Sequence, residues 1–594
     1  MCGIVGLING HAVAADLITA LGRLEYRGYD SAGIAVAGPG FAVHKVAGRA
    51  AGLIPGINQT FGGQAGIAHT RWATHGRAEA HNAHPHVVDG VAVVHNGIIE
   101  NHAELRAELI ARGHRFASET DSEVIPHLIA DACAAGAEPA EAVRQACTVL
   151  HGAYAIAVLF ETAPDRLIVA RQGSPVMVAR GDGAAAVASD PAALAGFCTE
   201  YAALADGDIA ELGRDGIAIM DFSGRPVVRK WEDVNEGETG TELRGFTTYT
   251  RAEIAAQPEA LRRTDAALLP LLLPDAVAAA ERIVVVACGS SLFAAATARQ
   301  WIEQLAGVPC DLEIASEYRT REAPISRGTV AVLVSQSGET ADTLAVQTLF
   351  REKRVPVVAV VNVAQSQMAR DADLVWPTKA GRELGVAATK SFTCQMLALV
   401  RFGLALGLAR GTVTSCRLAK IEREIAGLPE ICHQAEALEP QLAAIARMIA
   451  MENEALFLGR GPGAALAAEG ALKLKELSYI RAEAYAAGEL KHGPIALIRE
   501  GSPVLACVGE HAEKTLANAE EVRARGACVV ALVGAAEAAR FERIAEHCVV
   551  LPGSGLGLVF AQAVAVQLIA VHAAEVLGRD VDRPRNLAKS VTVE

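Results

Sequence analysis

The second half of the chain repeats itself at a constant offset of 172 positions, and this repeat restricts the possible folds strongly. A predicted strand ending at Ala287 recurs with its end at Gly459, and a second strand beginning at Val357 recurs at Val529. These strands are apolar throughout, as is typical of parallel strands that are covered on both faces. We therefore predict two copies of a doubly wound β/α unit, with ligand sites at the carboxyl ends of the strands.

A hydroxyl-rich loop follows one of these strands in the first copy. It runs from Ser335 to Thr340 and leads into a helix, and Ser290 and Ser291 follow a neighbouring strand. Such residues commonly cap helices, but a helix N-terminus with several hydroxyls also suits a phosphate. Two such loops at adjacent strand ends favour the phosphate. The loop has no lysine, so it is not a nucleotide P-loop.

The corresponding loop of the second copy has a different composition. Residues 509–514 contain Glu510 and Glu513 and no hydroxyl cluster. We expect these carboxylates to repel a phosphate, so the second copy is predicted to supply catalytic side chains instead.

Candidate catalytic side chains lie on a helix of the second copy. Glu469, Lys473 and Glu476 are spaced i, i+4, i+7 and share one face. An exposed ion-pair stripe would show the same spacing. Neighbouring leucines indicate that part of the stripe is buried, and burial would raise the pKa of a carboxylate into the range useful for proton transfer.

Two further titratable residues stand in irregular segments. His492 lies in a turn before Gly493 and Pro494, and Lys589 lies in the C-terminal tail. Such a lysine is either solvated or carried on a lid.

The other half of the chain begins with Met1-Cys2-Gly3. Removal of Met1 would place a thiol beside a free α-amino group, whose pKa of about 7.7–8.0 allows it to act as a base. The alternative is a small packed residue. Up to about residue 220, short strands and glycine turns are interrupted by helices, which predicts an α+β layered domain.

Composition excludes several classes of function. The net charge is −14 and no Lys/Arg cluster occurs, so we expect no nucleic-acid partner. Twelve scattered cysteines without a CxxC pair favour a reducing, cytoplasmic location. No secretory signal is recognisable, and residues 266–280, interpreted as the most apolar stretch, are interrupted by Pro274 and Asp275. We therefore expect no membrane span.

The spacing of His81, His84 and His86 could ligate zinc. Zinc usually takes four ligands, and this set supplies three histidines. We therefore expect no metal.

Several motifs carry a resemblance to a known family. They are MCGIVG, LEYRGYDSAG, HTRWATHG, HNGIIEN, SQSGET, EGALKLKELSYI, EAYAAGELKHGP and LAKSVTVE. Over nearly its whole length the chain resembles the isomerizing glutamine–fructose-6-phosphate aminotransferases, also called glucosamine-6-phosphate synthases. The resemblance implies an N-terminal-nucleophile glutaminase domain with αββα layers at residues 2–218 and a linker at 219–245. It further implies tandem sugar-isomerase domains at 246–414 and 445–585, and a catalytic tail at 586–594.

The resemblance also implies roles in using glutamine. Cys2 would attack the amide, and Asn96 and Gly97 would form the oxyanion hole. Arg71 would bind the carboxylate and Asp121 the amino group of glutamine, and Trp72 would gate an ammonia channel. The implied glutamine-binding residues are Arg71, Trp72, Thr74, His75 and Asp121.

For the sugar, the resemblance implies that Lys589 forms a Schiff base with fructose 6-phosphate. Glu476 would move a proton between C1 and C2, assisted by Lys473. His492 would open the sugar ring from a neighbouring subunit, which implies a homodimer. The implied phosphate-binding residues are Ser290, Ser291, Ser335, Gln336, Ser337 and Thr340. The expected products are glucosamine 6-phosphate and glutamate, formed without a cofactor.

Some positions depart from the family pattern. Ala388 replaces a common serine, Ser290 replaces a common threonine, and Ala252 and Ala256 replace a lysine and a glutamate at the junction 249–258. These changes leave open a related amidotransferase that acts on another ketose phosphate. A sugar-phosphate sensor is a further alternative, but no helix-turn-helix accompanies the domains. Amidophosphoribosyl transfer would require a loop with paired acids after an apolar strand, and none is recognisable.

Overall fold

The computed structural model describes residues 2–234, 243, 245–269 and 272–591. The chain forms two compact units, an N-terminal unit of residues 1–240 and 588–594 and a C-terminal unit of residues 241–587. The described residues do not include Met1 or the last three residues of the tail. They also do not include residues 235–242 and 244 of the predicted linker.

The N-terminal unit contains fourteen described strands and four α-helices. The strands are β1 Gly3–Ile8, β2 Ser31–Gly38, β3 Gly40–Ala47, β4 Ala65–Arg71, β5 His86–Val88, β6 Val91–Ile99, β7 Gly152–Phe160, β8 Leu167–Gln172, β9 Met177–Gly181, β10 Ala184–Ala188, β11 Glu200–Ala203, β12 Asp208–Gly213, β13 Gly216–Asp221 and β14 Glu232–Asp233. The helices are α1 Ala14–Gly22, α2 His102–Ala111, α3 Val124–Ala134 and α4 Pro139–Val149.

Two antiparallel sheets form the middle layers of this unit. Their strand orders are β14-β11-β9-β10-β1-β4-β2-β3 and β13-β12-β8-β7-β6-β5. Ile4, Ile67 and Val94 belong to the apolar layer between the sheets. Helix α1 covers the outer face of the first sheet, and α3 and α4 cover the second. This arrangement confirms the predicted αββα layers, and it explains why β1 is buried along its whole length.

The C-terminal unit contains ten described strands and fourteen α-helices. The strands are β15 Arg282–Ala287, β16 Cys310–Ile314, β17 Thr329–Ser335, β18 Val357–Val361, β19 Leu374–Pro377, β20 Glu454–Gly459, β21 Arg481–Ala486, β22 Pro503–Cys507, β23 Cys528–Gly534 and β24 His547–Leu551. The helices are α5 Tyr249–Ala255, α6 Gln257–Leu268, α7 Asp275–Ala278, α8 Gly289–Ala306, α9 Ala315–Thr320, α10 Ala341–Glu352, α11 Gln367–Arg370, α12 Lys390–Ala409, α13 Ser415–Glu436, α14 Glu439–Ala450, α15 Pro462–Ser478, α16 Ala512–Arg523, α17 Ala538–Phe541 and α18 Leu556–Val576.

The predicted repeat is present as two parallel five-stranded sheets. Their orders are β16-β15-β17-β18-β19 and β21-β20-β22-β23-β24, so each strand of one sheet has a counterpart in the other. The first strands, β15 and β20, begin 172 positions apart at Arg282 and Glu454. Each copy therefore places its first and third strands next to each other in the sheet, which brings their carboxyl-end loops together.

Two long apolar helices lie in the core of this unit. Within the described residues, α12 and α18 are the helices whose length and composition would allow them to cross a membrane. The apolar windows of these helices are 83% and 94% buried inside the protein, as expected of core helices that pack against sheets. The expectation that residues 266–280 are the most apolar stretch is wrong, because α18 is longer and has a mean hydropathy of 1.9 without any proline.

Candidate active sites

Sheet pairing places the Cys2 thiol beside the end of β4. Gly3 pairs with Thr70 in the antiparallel register, so Arg71 and Trp72 lie next to Cys2. The Trp72 backbone N–H donates to Cys2 Sγ over 3.3 Å. Burial raises the pKa of the Cys2 thiol, while the Trp72 bond and the Arg71 guanidinium act in the opposite direction. Burial outweighs these two groups, so the pKa of the thiol is raised and its uncharged form is favoured.

Asn96 is held beside Cys2 by a buried histidine. His69 Nε2 lies 2.9 Å from the His95 carbonyl and 3.0 Å from Asn96 Oδ1. Burial lowers the pKa of His69 to about 3, so the ring is neutral. Both neighbours are acceptors, so Nε2 carries the proton and Asn96 must present its oxygen to His69. The Asn96 amide group then donates to the Cys2 carbonyl over 3.0 Å.

Gly97 stands where no other residue fits without strain. Its φ is +138°, and a Cβ would lie 1.9 Å from the Ala153 carbonyl oxygen on β7. Glycine therefore allows β6 and β7 to pair directly at this point. Asn96 and Gly97, the two predicted oxyanion donors, are consecutive residues of β6.

Arg71 shapes the loop that follows β4. Its guanidinium donates to the carbonyls of His75, Gly76 and Arg77, with distances of 3.1 Å to the last two. Burial lowers the pKa of Arg71, and the neighbouring Cys2 and Asp121 oppose this shift. Arg71 thus holds the loop of the HTRWATHG motif in place through bonds to its carbonyls. The sequence did not reveal this structural role of Arg71.

Asp121 is buried at the far side of this loop. Its Oδ2 accepts from the Ile99 backbone N–H over 2.8 Å, and its Oδ1 lies 3.8 Å from His75 Nδ1. Thr74 is exposed and its hydroxyl lies 3.3 Å from the same histidine nitrogen. The structure therefore gathers all of the glutamine-site residues predicted from the sequence into one region of the N-terminal unit.

Of the three histidines that could ligate zinc, His81 lies in a different environment from His84 and His86, whose ring centroids are 4.6 Å apart. His81 is exposed and pairs with Glu119 at 2.9 Å, whereas His84 and His86 are buried. Burial lowers the pKa of both buried rings, and His84 stacks on His69 at 4.2 Å between ring centroids. In the described ranges, His, Cys, Asp and Glu side chains form no group of three or more that could hold a metal.

In the C-terminal unit, the hydroxyl-rich loop forms a tight turn at the end of β17. The Ser335 hydroxyl accepts from the Gly338 N–H and lies 3.0 Å from the Thr340 hydroxyl. Ser337 accepts from the Glu339 N–H over 3.2 Å. These bonds leave the loop curled around the N-terminus of α10, whose first residue is Ala341. Gln336 and Ser337 are half-buried at its rim.

The predicted stripe on α15 is a buried acid–base cluster. The Glu469 and Lys473 side chains are 0% and 1% exposed, and Lys473 Nζ lies 3.6 Å from Glu469. Lys473 also pairs closely with Glu476, whose side chain is 21% exposed. The exposed-stripe alternative is therefore wrong for Glu469 and Lys473. Ser290 joins the cluster, because its hydroxyl donates to Glu469 over 3.0 Å.

Burial and the lysine determine the charge states of this cluster. Burial raises the pKa of Glu469 to about 7; Lys473 lowers this value and Glu476 raises it. For Lys473, burial lowers the pKa but Glu469 and Glu476 outweigh it, so the pKa is raised. Lys473 is therefore a cation at neutral pH, and Glu469 lies near the midpoint of its titration.

Two further predicted catalytic residues are His492 and Lys589. His492 ends a short 3-10 helix, Ala487–His492, and is exposed. Lys589 belongs to the N-terminal unit, where its backbone N–H lies 3.5 Å from the Tyr26 carbonyl.

The departures from the family pattern lie in ordered segments. Ala388 is half-buried in the loop between β19 and α12 and precedes Thr389, which donates to Glu383. Ala252 is buried on α5, and Ala256 stands between α5 and α6. The junction is nevertheless held by hydrogen bonds to a charged residue. Asp582 accepts from the Thr250 N–H over 2.8 Å.

The fold and sites define a class: a glutamine amidotransferase domain joined to two sugar-isomerase domains. Residues 69–196 match the glutamine amidotransferase domain family, and residues 276–405 and 448–577 match the SIS domain. A solved C-terminal domain of glucosamine-fructose-6-phosphate aminotransferase from Francisella tularensis is 37% identical, with a TM-score of 0.56. That match covers 58% of this chain and 100% of the solved domain.

Curated relatives match the chain from end to end. Glutamine–fructose-6-phosphate aminotransferases (isomerizing) from Brucella abortus and Mesorhizobium japonicum are 44% and 43% identical, with 100% of each chain covered. The enzyme of the same name from Zymomonas mobilis is 43% identical, again with both chains fully covered. The chain belongs to the glutamine–fructose-6-phosphate aminotransferase (isomerizing) family, as the motifs predicted.

Proposed function

We propose that this enzyme transfers the amide nitrogen of L-glutamine to D-fructose 6-phosphate and isomerises the product to D-glucosamine 6-phosphate, with release of L-glutamate. The proposal rests on one juxtaposition: the Asn96 amide, whose orientation is fixed by His69, donates to the backbone carbonyl of Cys2, the residue that carries the thiol. Neutral donors at a thiol suit an acyl transfer in which negative charge develops on oxygen. The sugar-isomerase copies in the same chain supply the acceptor site.

In the first half-reaction, Cys2 Sγ bonds to the amide carbon of glutamine and the carbon–nitrogen bond breaks, which releases ammonia. Water then hydrolyses the thioester to glutamate. With Met1 removed, the α-amino group would take the thiol proton and pass it to the leaving nitrogen. Asn96 and Gly97 would stabilise the oxyanion, Arg71 would bind the substrate carboxylate, and Asp121 would bind its amino group. Trp72, Thr74 and His75 would border the bound glutamine.

In the second half-reaction, Lys589 would condense with the C2 carbonyl of the open-chain sugar and release water. Ammonia would replace the lysine amine, and Glu476 would move a proton from C1 to C2. Lys473, held as a cation between two carboxylates, would stabilise negative charge that develops on the sugar. The proposed phosphate ligands are the residues Ser290, Ser291, Ser335, Gln336, Ser337 and Thr340. The Ser290 bond to Glu469 makes Ser290 a link between phosphate and the acid–base cluster.

We also propose a cytoplasmic homodimer. The exposed position of His492 leaves its ring accessible to a neighbouring subunit, where it would open the sugar ring. All twelve cysteines carry free thiols, which supports a reducing compartment.

Replacement of the nucleophile tests the assignment. Cys2→Ala should reduce glutamine-dependent product formation by at least about 10³-fold, because no other group forms the thioester. Conversion of fructose 6-phosphate to glucose 6-phosphate should remain. The exposed Cys416 provides the matched control, and Cys416→Ala should retain both activities. Undiminished amino-sugar formation by Cys2→Ala would refute the role of Cys2. A panel of ketose phosphates with wild-type enzyme identifies the acceptor.

A further inference from the structure

The second sugar-isomerase copy contains a cavity of about 370 Å³ that the reaction above does not use. It lies at the carboxyl ends of β20, β21 and β22, and its volume falls within the range of small-molecule sites. The cavity is lined by Arg460, Gly461, Ala486, Gly488, Glu489, His511 and Lys514. Because the two sheets have the same strand order, this is the place that corresponds to the hydroxyl-rich site of the first copy.

The lining carries cationic side chains at two strand ends. Arg460 follows β20, and Lys514 lies in the first turn of α16. The Arg460 guanidinium donates to Asn518 over 2.9 Å, which fixes its position. Its buried Nε has no hydrogen-bond partner within the described part of the chain. The guanidinium lies so close to Gly488 that a Cβ there would stand 3.2 Å from it.

Helix ends add to this positive character. Both α15 and α16 begin beside the cavity, at Pro462 and Ala512. Backbone N–H groups in the first turn of a helix have no partner within the helix, and the helix dipole favours an anion there. At α15 the Gly463 and Ala464 N–H groups already donate to the Arg460 and Gly461 carbonyls. The N-terminus of α16 and the two cationic side chains therefore carry the positive character of the cavity.

The carboxylates that were expected to repel an anion are not in its lining. Glu510 accepts a hydrogen bond from Gln300 on α8 over 2.8 Å. Glu513 lies 3.6 Å from Arg540. Tertiary contacts therefore engage both carboxylates outside the lining of the cavity.

One carboxylate does line the cavity, that of Glu489. A carboxylate accepts hydrogen bonds from hydroxyl groups, so its presence beside Arg460 and Lys514 suits a ligand with both phosphate and hydroxyl groups. We propose that the cavity of the second copy binds a phosphorylated polyhydroxy compound, such as a sugar phosphate, at a site separate from the acceptor site of the first copy.

Hydrogen–deuterium exchange of the full-length enzyme measures backbone amide protection at the two sites separately. Glucose 6-phosphate serves as the probe, with inorganic phosphate and glucose as partial probes. We expect glucose 6-phosphate to slow exchange in residues 335–340 and also in residues 486–489 and 511–514. Phosphate should act more weakly at the second site, and glucose should not act there.

Charge reversal at the exposed Lys514 tests the second site. Lys514→Glu should weaken the half-maximal protection of residues 486–489 by at least about tenfold, the usual effect of one charge-assisted contact. Protection of residues 335–340 should not change, which also verifies folding. Lys475→Glu, at an exposed lysine of α15, is the matched control and should leave both sites intact.

Three outcomes would overturn the proposal. They are protection confined to residues 335–340 in the wild-type enzyme, equal protection of residues 486–489 by glucose, and an unchanged midpoint there in Lys514→Glu. Glutamine is absent from the experiment, so an inactive glutaminase would not alter the result.

Discussion

The two sugar-isomerase copies have sheets of the same strand order but differ in the loops at their strand ends. In the first copy, residues 335–340 curl tightly and Gly338 has a φ of +67°. In the second copy, Gly509 has open space around it, and the adjacent lining is charged. A parallel sheet forms from apolar strands, so both copies retain the same sheet. The loops contribute little to the core, so their side chains can differ between the copies.

The helices that follow the first strand of each copy also differ in the polar side chains that they supply. Helix α8 supplies Ser290, while α15 supplies Glu469, Lys473 and Glu476. Because Ser290 donates to Glu469, the two copies contribute to a single acid–base cluster. The comparison shows that a duplicated fold produced one composite site rather than two equal ones.

The largest test of this comparison removes the cation of the composite site. Lys473→Met leaves two carboxylates without their partner, so the free energy of unfolding should fall by about 3–5 kcal/mol. Fructose 6-phosphate isomerisation should fall by at least about 10³-fold, because the cluster loses its only buried cation in a proton-transfer step. Denaturant unfolding and an isomerase assay measure both effects.

Lys475→Met is the control for Lys473→Met, since Lys475 lies on the same helix but is exposed. It should stay within about 0.5 kcal/mol of the wild type. Equal losses in the two variants would show that α15 tolerates no substitution and would remove the case for the cluster.

The next test concerns pH. Because burial raises the pKa of Glu469 from 4.5 to about 7, the folded state favours the protonated acid. The associated stabilisation is complete below pH 4.5 and is lost as the pH rises through 7. Relative to Glu469→Gln, the wild type should therefore lose about 3 kcal/mol of stability between pH 5 and 8. Parallel stability curves for the two proteins would contradict the raised pKa.

A smaller effect should separate the two strand-end loops. In Gly338→Ala, the φ of +67° is strained and the new Cβ would lie 2.0 Å from Ser366 Oγ. We expect a loss of about 1–3 kcal/mol in stability and weaker binding of fructose 6-phosphate. In Gly509→Ala, no atom lies within 4 Å of the new Cβ, so stability should be unchanged. Calorimetry measures the melting temperature of both variants. Equal decreases in the two variants would contradict the expected difference between the loops.

The smallest effect concerns Ala388, which stands where the motif comparison predicts that a serine is common. Ala388→Ser should lower the KM for fructose 6-phosphate by at most about tenfold, the value of one neutral hydrogen bond. Ala388→Cys adds a side chain of similar size with only a weak donor and should change the KM less. If both variants behave alike, a hydrogen bond at this position does not contribute to sugar binding.

Much of the C-terminal fold was predictable because apolar strands and the repeat are properties of local sequence. Strand β15 covers Arg282–Ala287 as predicted, and the stripe on α15 follows from helical spacing. The direction of individual loop side chains was not predictable. Glu510 meets Gln300, 210 positions earlier in the chain, and no local pattern encodes that contact.

In the glutaminase unit, the motifs identified the site residues but not what holds them. The bond between His69 and Asn96 joins neighbouring sheets, and Arg71 donates to carbonyls of its own loop. Backbone carbonyls occur at every residue, so the sequence does not distinguish those that accept these bonds.

The amino-acid sequence by itself determined the layers, the duplication and the family, because hydrophobic periodicity and short motifs act over a few residues at a time. Only the tertiary structure decided which titratable side chains are buried away from solvent. Glu469 and Lys473 are buried because α15 packs against α8 and α18, and desolvation depends on neighbours that are distant in sequence. Contacts with Gln300 and Arg540 likewise engage Glu510 and Glu513 outside the lining of the second cavity.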